Sequence, residues 1–463
     1  MKLLTLAMTK RTHESAFQYL FPKDGLEAAG VFICNQGTGK YHQRLVAAEF
    51  VGLPHELSDR HVSTVTWPFG SYFSPDTITN IDRSGQSVIT VHSHPNGDSN
   101  FSGVDDGNDR ALFSSVNAWF DDERINGSAI MLPDGSMVAR SVDGNGQFRS
   151  FRSVNVVGDN ILIWSNTKQS HSTSYEKKLS QTFGKGTLDR LRAMRVGVVG
   201  CSGTGSILIE LLTRNCVGQL VIVDDDVLEE KNLNRIINGS MVDAKNKLSK
   251  VDAISRSFKR IGLGTQIDTY KALTDSSEVV SALVDCDVIF GCVDSAFGRY
   301  HLECIASAYL IPYFDVGVHI EADGTGNISA ADAVSHYIQP DGRDLFSRGA
   351  YHLNQVKAEN CRRVDPEYYE RQRIAGYLAA VGEEQPAVMS VNMQAACMAF
   401  NDFIARVHDF RFDPDRQFAT QRFRLVHGCF ESEADDGEPH NLFKRHRGAG
   451  DNSQLVKNNI PHV

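Results

Sequence analysis

The 463-residue sequence lacks the features that mark membrane, secreted and disulfide-stabilised proteins. It contains no run of about eighteen apolar residues, so it predicts no membrane-spanning helix. The opening MKLLTLAMTK has too short an apolar core for a signal peptide and predicts a first strand. The nine cysteines include no C-x-x-C pair, which favours reduced thiols in a cytoplasm over a disulfide framework.

An excess of positive charge is also missing, as are internal repeats and low-complexity tracts. Asp and Glu number 57 against 47 Lys and Arg, and the net charge of −10 argues against a nucleic-acid partner. The length is more than one core needs and predicts two or three domains. The sequence therefore predicts a cytoplasmic multidomain protein that binds neither nucleic acid nor membrane.

The stretch 195–235 predicts a nucleotide-binding βαβ unit. A Val- and Gly-rich strand, a glycine turn, an apolar helix and a second strand follow one another there. The glycines let backbone N–H groups approach phosphate at a helix N-terminus. Asp224 ends the second strand, where its carboxylate can bond a ribose hydroxyl. The turn glycines are Gly200, Gly203 and Gly205, and the helix is predicted from Ser206.

The spacing within this unit favours ATP over a dinucleotide. A G-x-G-x-x-G fingerprint counted from Gly200 needs glycine at position 202, which is Ser202. Asn232, Asn234 and Arg235 follow the carboxylate, and an ATP-using enzyme needs such amides and a cation where a dehydrogenase does not. A further buried strand ends near Asp294, which is expected at the same crevice because parallel strands present functional residues at their carboxyl ends.

These pieces resemble the ThiF-like, ubiquitin-activating superfamily of adenylyltransferases. The matching stretches are VVGCSGTGS, VDDDVLEEKNLNR, KNKLSKVDAI, DVIFGCVDS and YLIPYFDVGV, over roughly the C-terminal two thirds of the chain. The resemblance implies a Rossmann-like α/β domain at 195–430, after a linker and lead-in helix at 160–194. Such a domain uses ATP and magnesium to adenylate the C-terminal glycine of a ubiquitin-like or sulfur-carrier protein, and relatives often form homodimers through it.

The resemblance also assigns roles around the nucleotide. The glycine turn lines the phosphates, and Asp224 binds the ribose. Asn232 and Arg235 hold phosphates, and Arg235 offsets charge as pyrophosphate leaves. Asp294 would hold magnesium, a hard cation that prefers carboxylate and phosphate oxygens.

Lysines complete the implied site, with alternatives. Lys250 lies in the KVDAI context of the family's catalytic lysine, while Lys247 and Lys245 compete because a lysine-rich helix is usually a solvated face. Relatives carry a γ-phosphate arginine in the lead-in helix, where this sequence has Lys177 and Lys178. Lysine keeps the charge of that arginine but not its bidentate fork.

Cys361 is the predicted thioester nucleophile. It stands in AENCRRVDPEYYERQR, a polar crossover segment where relatives place a cysteine, and Arg362 and Arg363 beside it are expected to favour thiolate. The other cysteines fall in the phosphate loop, in apolar strands or helices, or near the tail. A structural zinc ligand is the alternative role, which the absence of a paired C-x-x-C disfavours.

In the N-terminal third, the stretch TVHSHPNGDSNFSGVDDGND predicts a metal site. A strand ends in His92, and His94 projects on the same side of an extended chain. Asp105 opens a helix predicted at 106–119. Two His and one Asp are a three-ligand set that leaves a fourth zinc position for water, whose pKa falls towards about 7. Other strands are predicted at 26–34, 43–50 and 128–132.

The pattern H-x-H-P-x6-S-x-x-D resembles the JAMM (MPN+) metalloisopeptidase signature. The resemblance implies an MPN-like α/β metalloprotease domain at 1–159, with zinc on His92, His94 and Asp105. It makes Ser102 the residue that stabilises the oxyanion. The family's upstream general base is assigned to Glu27, with Glu14 and Glu49 as alternatives.

Together the two resemblances predict a fusion of a JAMM-like isopeptidase and a ThiF-like activating enzyme. Such fusions are typical of bacterial ubiquitin-like conjugation operons, some linked to antiphage defence, so a ubiquitin-like protein and a ubiquitin-conjugating-type enzyme are the expected partners. The alternatives are sulfur-carrier activation for cofactor biosynthesis and a non-catalytic scaffold. The tail at 431–463 is expected to be a mobile arm or disordered.

Overall fold

A computed structural model describes residues 2–68, 70, 72–120, 122–166, 174–378, 380–381, 386–454 and 456. The chain forms two large sheets, one in each half, and helices pack on both. The linker predicted around residues 167–173 lies outside the described residues, as do residues 457–463 of the predicted tail. No helix among the described residues is both long and apolar enough to cross a membrane. All nine cysteines are unpaired.

The N-terminal half is built on a nine-stranded mixed sheet in the order β11-β10-β1-β3-β2-β6-β7-β8-β9, with a separate β4–β5 hairpin. Its strands are β1 Leu3–Thr9, β2 Ala29–Thr38, β3 His42–Gly52, β4 Asp59–Arg60, β5 Val65–Thr66, β6 Ser87–Ser93, β7 Gly127–Met131, β8 Met137–Val142, β9 Phe148–Ser150, β10 Ser153–Val157 and β11 Ile161–Ser165. Its helices are α1 Lys10–Leu20, α2 Pro75–Arg83 and α3 Gly103–Trp119. The sheet thus runs six residues beyond the predicted end of the domain.

The pairing of β2 with β6 sets the geometry of the histidine motif. The two strands are antiparallel, and Ala29 at the start of β2 lies opposite His92 near the end of β6. Alternating side chains of these strands are buried in apolar clusters on the two faces of the sheet. Ser102 caps α3 just after the strand, and its hydroxyl accepts a hydrogen bond from the Asp105 N–H. The segment between β6 and α3 therefore folds back over the carboxyl end of β6.

The C-terminal half contains an eight-stranded sheet in the order β14-β13-β12-β15-β16-β17-β18-β19. Its strands are β12 Arg195–Val199, β13 Gln219–Val223, β14 Gln266–Tyr270, β15 Val288–Gly291, β16 Tyr313–Ala322, β17 Ile328–Ile338, β18 Thr420–Arg424 and β19 Cys429–Glu433. The first five strands of the order are parallel, and β17 to β19 extend the sheet as antiparallel hairpins. The parallel part is the predicted Rossmann-like α/β fold.

Helices cover both faces of this sheet. They are α4 Lys177–Ala193, α5 Gly203–Arg214, α6 Met241–Lys245, α7 Lys250–Ile261, α8 Ser277–Val284, α9 Ala296–Tyr309, α10 Leu353–Val364, α11 Pro366–Ile374, α12 Met389–Val407 and α13 Asn441–His446. Apolar stripes of α5 and α12 pack together on one face, and those of α8 and α9 on the other. α5 begins at Gly203, three residues before the predicted start, because Gly203 and Gly205 form its first turn.

Buried charges join the two halves at the amino ends of the parallel strands. Asp287, just before β15, accepts two hydrogen bonds from the Arg152 guanidinium, at 2.9 and 2.7 Å. Asp285 accepts hydrogen bonds from the backbone N–H groups of residues 41 and 42. The carboxylates and the guanidinium leave water together, each paired with a group of the other half. Moving one half relative to the other would leave buried charges without partners, so these pairs favour a single arrangement.

The described part of the tail is packed, so the expected mobile or disordered arm is wrong for residues 431–454. Glu431 lies within β19, and Phe443 on α13 is 2% exposed in an apolar cluster with α9. Gly448 accepts a hydrogen bond from Asn35 Nδ2 at 2.8 Å, and Asp451 accepts one from the Thr38 N–H at 3.0 Å. The tail therefore contacts both halves.

Candidate active sites

The glycine turn after β12 gives backbone N–H groups room for a ligand. Gly200 has φ +90°, which side-chain-bearing residues rarely adopt, and a Cβ there would lie 2.5 Å from the Cys292 carbonyl oxygen. A Cβ at Gly205 would overlap the Gly200 carbonyl oxygen. Ser202 precedes α5 without a side-chain capping bond, so the first N–H groups of that helix suit an anion.

Asp224 and Lys250 meet beside this loop. The Asp224 carboxylate accepts a hydrogen bond from the Cys201 N–H at 2.6 Å, and Lys250 Nζ lies 3.5 Å from its other oxygen. Lys250 also donates to Asp226 at 2.7 Å. Burial raises the pKa of Asp224, and Lys250 only partly offsets this. Burial alone would lower the pKa of Lys250, but the two carboxylates raise it.

The two competing lysines lie elsewhere. Lys245 and Lys247 are both exposed, whereas Lys250 is 6% exposed and faces Asp224. Lys177 and Lys178 are likewise exposed, at the start of α4. Of the three lysines considered for the catalytic role, the structure therefore brings only Lys250 to the strand-end carboxylate.

Asn232 and Arg235 lie in the turn that follows β13. Asn232 is buried, and its Oδ1 accepts a hydrogen bond from the Glu229 N–H at 3.0 Å, so it caps a 3-10 turn. Arg235 passes the phosphate loop, with its Cδ 3.3 Å from the position of a Cβ on Gly203. Its guanidinium donates to the Lys231 carbonyl at 3.1 Å. Arg235 thus adjoins the loop, while Asn232 supports the turn that carries it.

Asp294 is exposed at the carboxyl end of β15, between that strand and α9. Ser295 caps α9 through the Gly298 N–H at 3.0 Å. Arg299, one turn along, pairs with Asp315 at 3.1 Å. The charges of Asp315 and, less strongly, Asp294 raise the pKa of Arg299. The carboxylate of Asp294 is therefore accessible at the edge where the phosphate loop lies.

Cys361 lies on α10 beside a cavity of about 360 Å³. Its lining includes Val364, Asp365, Tyr368, Tyr377 and Leu378. The preceding turn of α10 is tied to the start of α9, because Glu359 accepts a hydrogen bond from the Phe297 N–H at 2.8 Å. The helix that carries Cys361 thus contacts the start of α9, which directly follows Asp294.

The expected activation of Cys361 by its neighbouring arginines is wrong in this structure. Arg363 pairs with Asp275 at 2.7 Å and donates to Asn360 at 2.8 Å. Its guanidinium is therefore paired with other groups and does not stabilise a Cys361 thiolate. Burial raises the pKa of Cys361, and the charge of Asp365 raises it further. The thiol is therefore protonated near neutral pH.

In the N-terminal half, the histidine motif forms a compact donor cluster. His92 Nε2 lies 3.0 Å from His94 Nε2 and 3.4 Å from Asp105 Oδ1, and His94 Nε2 lies 4.0 Å from Asp105 Oδ2. One oxygen of Glu27 lies within 4.8 Å of both imidazole donors. Imidazole nitrogens and a carboxylate oxygen at such spacing can hold a metal ion.

Hydrogen bonds with neighbouring groups orient the side chains of this cluster. His94 Nδ1 lies 2.6 Å from the Asp98 carbonyl oxygen, which requires the proton on Nδ1 and leaves the Nε2 lone pair for a metal. Asp105 accepts a hydrogen bond from the Ser102 N–H at 2.6 Å. Burial lowers the pKa of His92 to about 4, so its imidazole is neutral, as a metal ligand must be.

Glu27 is the buried carboxyl of the cluster. It is 3% exposed, whereas Glu14 and Glu49, the alternative bases, are exposed elsewhere. Burial, followed by the charge of Asp105, raises the pKa of Glu27 to about 8. A carboxyl with such a pKa can take up and release a proton near neutral pH, which is what a general base requires.

Sequence reasoning missed Asn392, a residue of α12 beside the phosphate loop. It is 3% exposed, and its Nδ2 lies 2.5 Å from the position of a Cβ on Gly203. The sequence pattern could have indicated it: at helical spacing, Asn392 lies on the same face as Ala396, Ala399 and Phe403, and an amide on an otherwise apolar face is unusual.

The loop, the strand-end carboxylate and the sheet order define a ThiF-type Rossmann-like domain. The ThiF family model matches residues 175–421, more than half of the sequence, so the chain belongs to the ThiF family. The resemblance found in the C-terminal motifs is thereby confirmed.

Similar proteins include two types of activating enzyme. Ubiquitin-like modifier-activating enzyme 5 of Drosophila ananassae is 28% identical over 144 residues, which cover 28% of this chain and 35% of that protein. Adenylyltransferase and sulfurtransferase UBA4 of Eremothecium gossypii is 30% identical over 128 residues, 28% of each chain. The chain thus spans about a third of the length of the curated relatives it matches. Among solved structures, E. coli MccB with ATP is 17% identical, with a TM-score of 0.43 over 58% of this chain and 74% of that one.

Proposed function

We propose that this chain is a bifunctional enzyme acting on one ubiquitin-like protein. The C-terminal half adenylates the C-terminal glycine of that protein with ATP and passes it to Cys361 as a thioester. The N-terminal half, an MPN-like domain, is a zinc isopeptidase of the JAMM type that exposes or releases the same terminus. A ubiquitin-conjugating-type enzyme would then accept the thioester, in a bacterial conjugation pathway of the kind linked to antiphage defence.

The meeting of Lys250 and Asp224 beside an uncapped phosphate loop carries the adenylation proposal. Lys250 is buried between carboxylates at 3.5 and 2.7 Å, so a phosphate entering the loop offers its ammonium a competing anionic partner. Arg235 adjoins the same loop and can offset charge on departing pyrophosphate. Asp294 would hold magnesium, which when bound neutralises phosphate charge.

The chemistry follows from these positions. A carboxylate oxygen of the terminal glycine attacks the α-phosphorus, the bond to the β-phosphate oxygen breaks, and pyrophosphate leaves. The Cys361 sulfur then attacks the acyl carbon of the adenylate, a C–S bond forms, the bond from that carbon to the phosphate oxygen breaks, and AMP departs while the thiol proton passes to its phosphate or to water. Because the pKa of this thiol is raised, its deprotonation must accompany rather than precede the encounter.

The cluster of His92, His94, Asp105 and Glu27 carries the isopeptidase proposal. His92, His94 and Asp105 would hold zinc, which when bound supplies a Lewis acid and a water of lowered pKa. Glu27, the buried carboxyl of the cluster, would take the proton of the attacking water and give it to the departing amine. The Ser102 hydroxyl accepts a hydrogen bond from the Asp105 N–H at 3.2 Å and would support the developing oxyanion.

ATP–pyrophosphate exchange with a ubiquitin-like protein of the same genome tests the first activity. Lys250→Ala should reduce exchange by at least about a hundredfold, since a charge-assisted contact to the reacting phosphate is lost. Lys247→Ala, an exposed lysine nearby, is the matched control and should exchange normally. Equal exchange in both variants would remove Lys250 from the site.

Thioester formation is read on a non-reducing gel of the same mixture. A thiol-sensitive band should appear with wild type and be lost in Cys361→Ala while exchange persists. Cys397→Ala, a cysteine on α12, serves as the control. Exchange without any such band would take Cys361 out of the mechanism.

Cleavage of the same protein carrying a C-terminal extension tests the second activity. Glu27→Gln and His92→Ala should each abolish cleavage and leave exchange intact, and a chelator should act in the same way when magnesium is supplied afterwards. Glu14→Gln should cleave normally. Cleavage that survives His92→Ala would exclude the metal cluster as its source.

Sulfur-carrier activation is the second candidate, favoured by the similarity to an adenylyltransferase and sulfurtransferase and by the unactivated thiol of Cys361. In that case the adenylate would be converted to a thiocarboxylate when a sulfur donor is added. Mass spectrometry of the ubiquitin-like protein separates the two: a gain of sulfur supports this candidate, and a thioester on Cys361 supports the first.

A further inference from the structure

Asn392 carries a buried hydrogen-bond donor that the folded chain leaves unused. The residue lies in the first turn of α12 and is 3% exposed. Within the described part of the chain, its Nδ2 has no hydrogen-bond partner. Buried polar groups are nearly always paired, because an unpaired donor loses its hydration without compensation. The exception therefore needs a partner outside the protein.

The amide is aimed at the start of α5. Nδ2 lies 2.5 Å from the position that a Cβ on Gly203 would take, so only glycine allows this approach. Arg235 passes the same glycine, with its Cδ 3.3 Å from that position. Ser202 provides no capping side chain for the helix. Three groups thus lie close to Gly203: the first N–H groups of α5, the side chain of Arg235 and the unpaired Nδ2 of Asn392.

The helix N–H groups and Asn392 Nδ2 are donors, and Arg235 brings a cationic side chain to the same turn, so an anion with several acceptor oxygens suits them. A phosphate has this chemistry, and Asp224, the carboxylate suited to a ribose, lies on the other side of the loop at the end of β13. A carboxylate ligand would match fewer donors than a phosphate does.

We propose that Asn392 Nδ2 donates a hydrogen bond to a phosphate oxygen of the nucleotide bound at the Gly203 turn. Asn392 is then a substrate-binding residue contributed by α12, an element that no nucleotide motif of the sequence includes. The inference rests on the proposed function, because it requires ATP in this loop.

The experiment compares Asn392→Ala and Asn392→Asp with wild type by titration calorimetry, with magnesium–ATP and adenosine as separate probes. The alanine variant should bind ATP about tenfold more weakly, and the aspartate variant more weakly still, since its charge repels phosphate. Adenosine affinity should stay within twofold, because adenosine has no phosphate. Gln394→Ala, an exposed amide on the same helix, is the matched control and should bind both probes normally.

Thermal unfolding separates binding from a structural role. Since the amide is unpaired without ligand, Asn392→Ala should keep the ligand-free melting temperature of wild type but lose part of the increase that ATP produces. Unchanged ATP affinity in both variants, or an equal loss for adenosine, would overturn the proposal. A wild-type chain that binds no ATP would instead overturn the proposed function, and the role of Asn392 with it.

Discussion

Asp287 is a buried carboxylate in the junction between the two halves. It is 1% exposed and accepts four hydrogen bonds: two from Arg152, one from Asn155 Nδ2 at 3.1 Å and one from the Arg195 N–H at 2.9 Å. Three of these donors belong to the N-terminal half. Asp287→Ala would leave the Arg152 guanidinium buried without its partner, and such a break destabilises by about 3–5 kcal/mol.

The expected consequence is a fall in melting temperature. For folding units of 150–250 residues, about 1 kcal/mol shifts the melting temperature by about 2–4 °C, so Asp287→Ala should melt about 10 °C below wild type. Because the lost bonds join the halves, calorimetry should also show the halves unfolding in separate transitions. Asp436→Ala breaks an exposed 3.0 Å pair with Arg416 and is the control, which should melt with wild type.

The same carboxylate gives this prediction a pH dependence. Burial alone would raise the pKa of Asp287, but Arg152 and the Arg195 N–H hold it well below its usual value. Its contribution to stability is therefore present above the unfolded-state pKa of about 4 and declines as pH falls towards the lower folded-state pKa. The gap in melting temperature between Asp287→Ala and wild type should be constant from pH 5 to 8 and narrow below about pH 4. A gap under about 2 °C at pH 7, or one that widens in acid, would refute the reasoning.

Other predictions concern the loop, the thiol and the tail. Gly205→Ala should abolish ATP binding in calorimetry, because a Cβ would overlap the Gly200 carbonyl oxygen; Gly186→Ala, with open space around it, should bind normally. Alkylation of Cys361 by iodoacetamide, followed by mass spectrometry, should be slow at pH 7 and still accelerate above pH 9, because its pKa is raised; a plateau by pH 8 would contradict this. Asp451→Ala should lower the melting temperature by a few degrees, since it removes contacts between the tail and both halves, and an unchanged melting temperature would mean that the tail adds no stability.

Local patterns predicted the parts of the sites that local structure determines. Asp224 follows a short buried strand and His92 lies near the end of another, and a strand pattern alone places such polar residues at the end of the sheet. The loop glycines could be predicted for the same reason, because the turn in which they lie needs their backbone freedom. The ThiF family assignment is confirmed, whereas the metal chemistry of the histidine motif stays a prediction.

Contacts between distant parts of the sequence were not predictable in this way. Arg363 adjoins Cys361 in the chain, yet Asp275, almost ninety positions away, takes its charge. The tail has the composition of a mobile arm, yet Asp435 pairs with Arg348 at 3.0 Å inside the fold. Charge composition describes a segment without its partners, so it cannot tell a solvated run from one that is neutralised by another element.

Each of the two sites lies away from the junction between the halves. The C-terminal half meets the N-terminal half at the amino ends of its parallel strands, through Asp285 and Asp287, whereas the glycine loop lies at their carboxyl ends. In the N-terminal half, residues 36–38 of β2 contact the tail and α9, while the histidine cluster adjoins Ala29. These two points on β2 are separated by roughly 27 Å at about 3.4 Å per residue.

A short peptide tail held in one site is therefore not expected to reach the other through the junction. Extended chain covers at most about 3.3–3.6 Å per residue, so spanning β2 and the depth of the second sheet would take more than about ten residues. Under the proposed function, a ubiquitin-like protein freed at the histidine cluster would then leave before it is adenylated. Labelled precursor, processed among unlabelled mature protein, should enter the thioester in proportion to its share of the pool. Preferential use of the labelled protein would mean that a bound route, within one chain or between two, joins sites that this fold keeps apart.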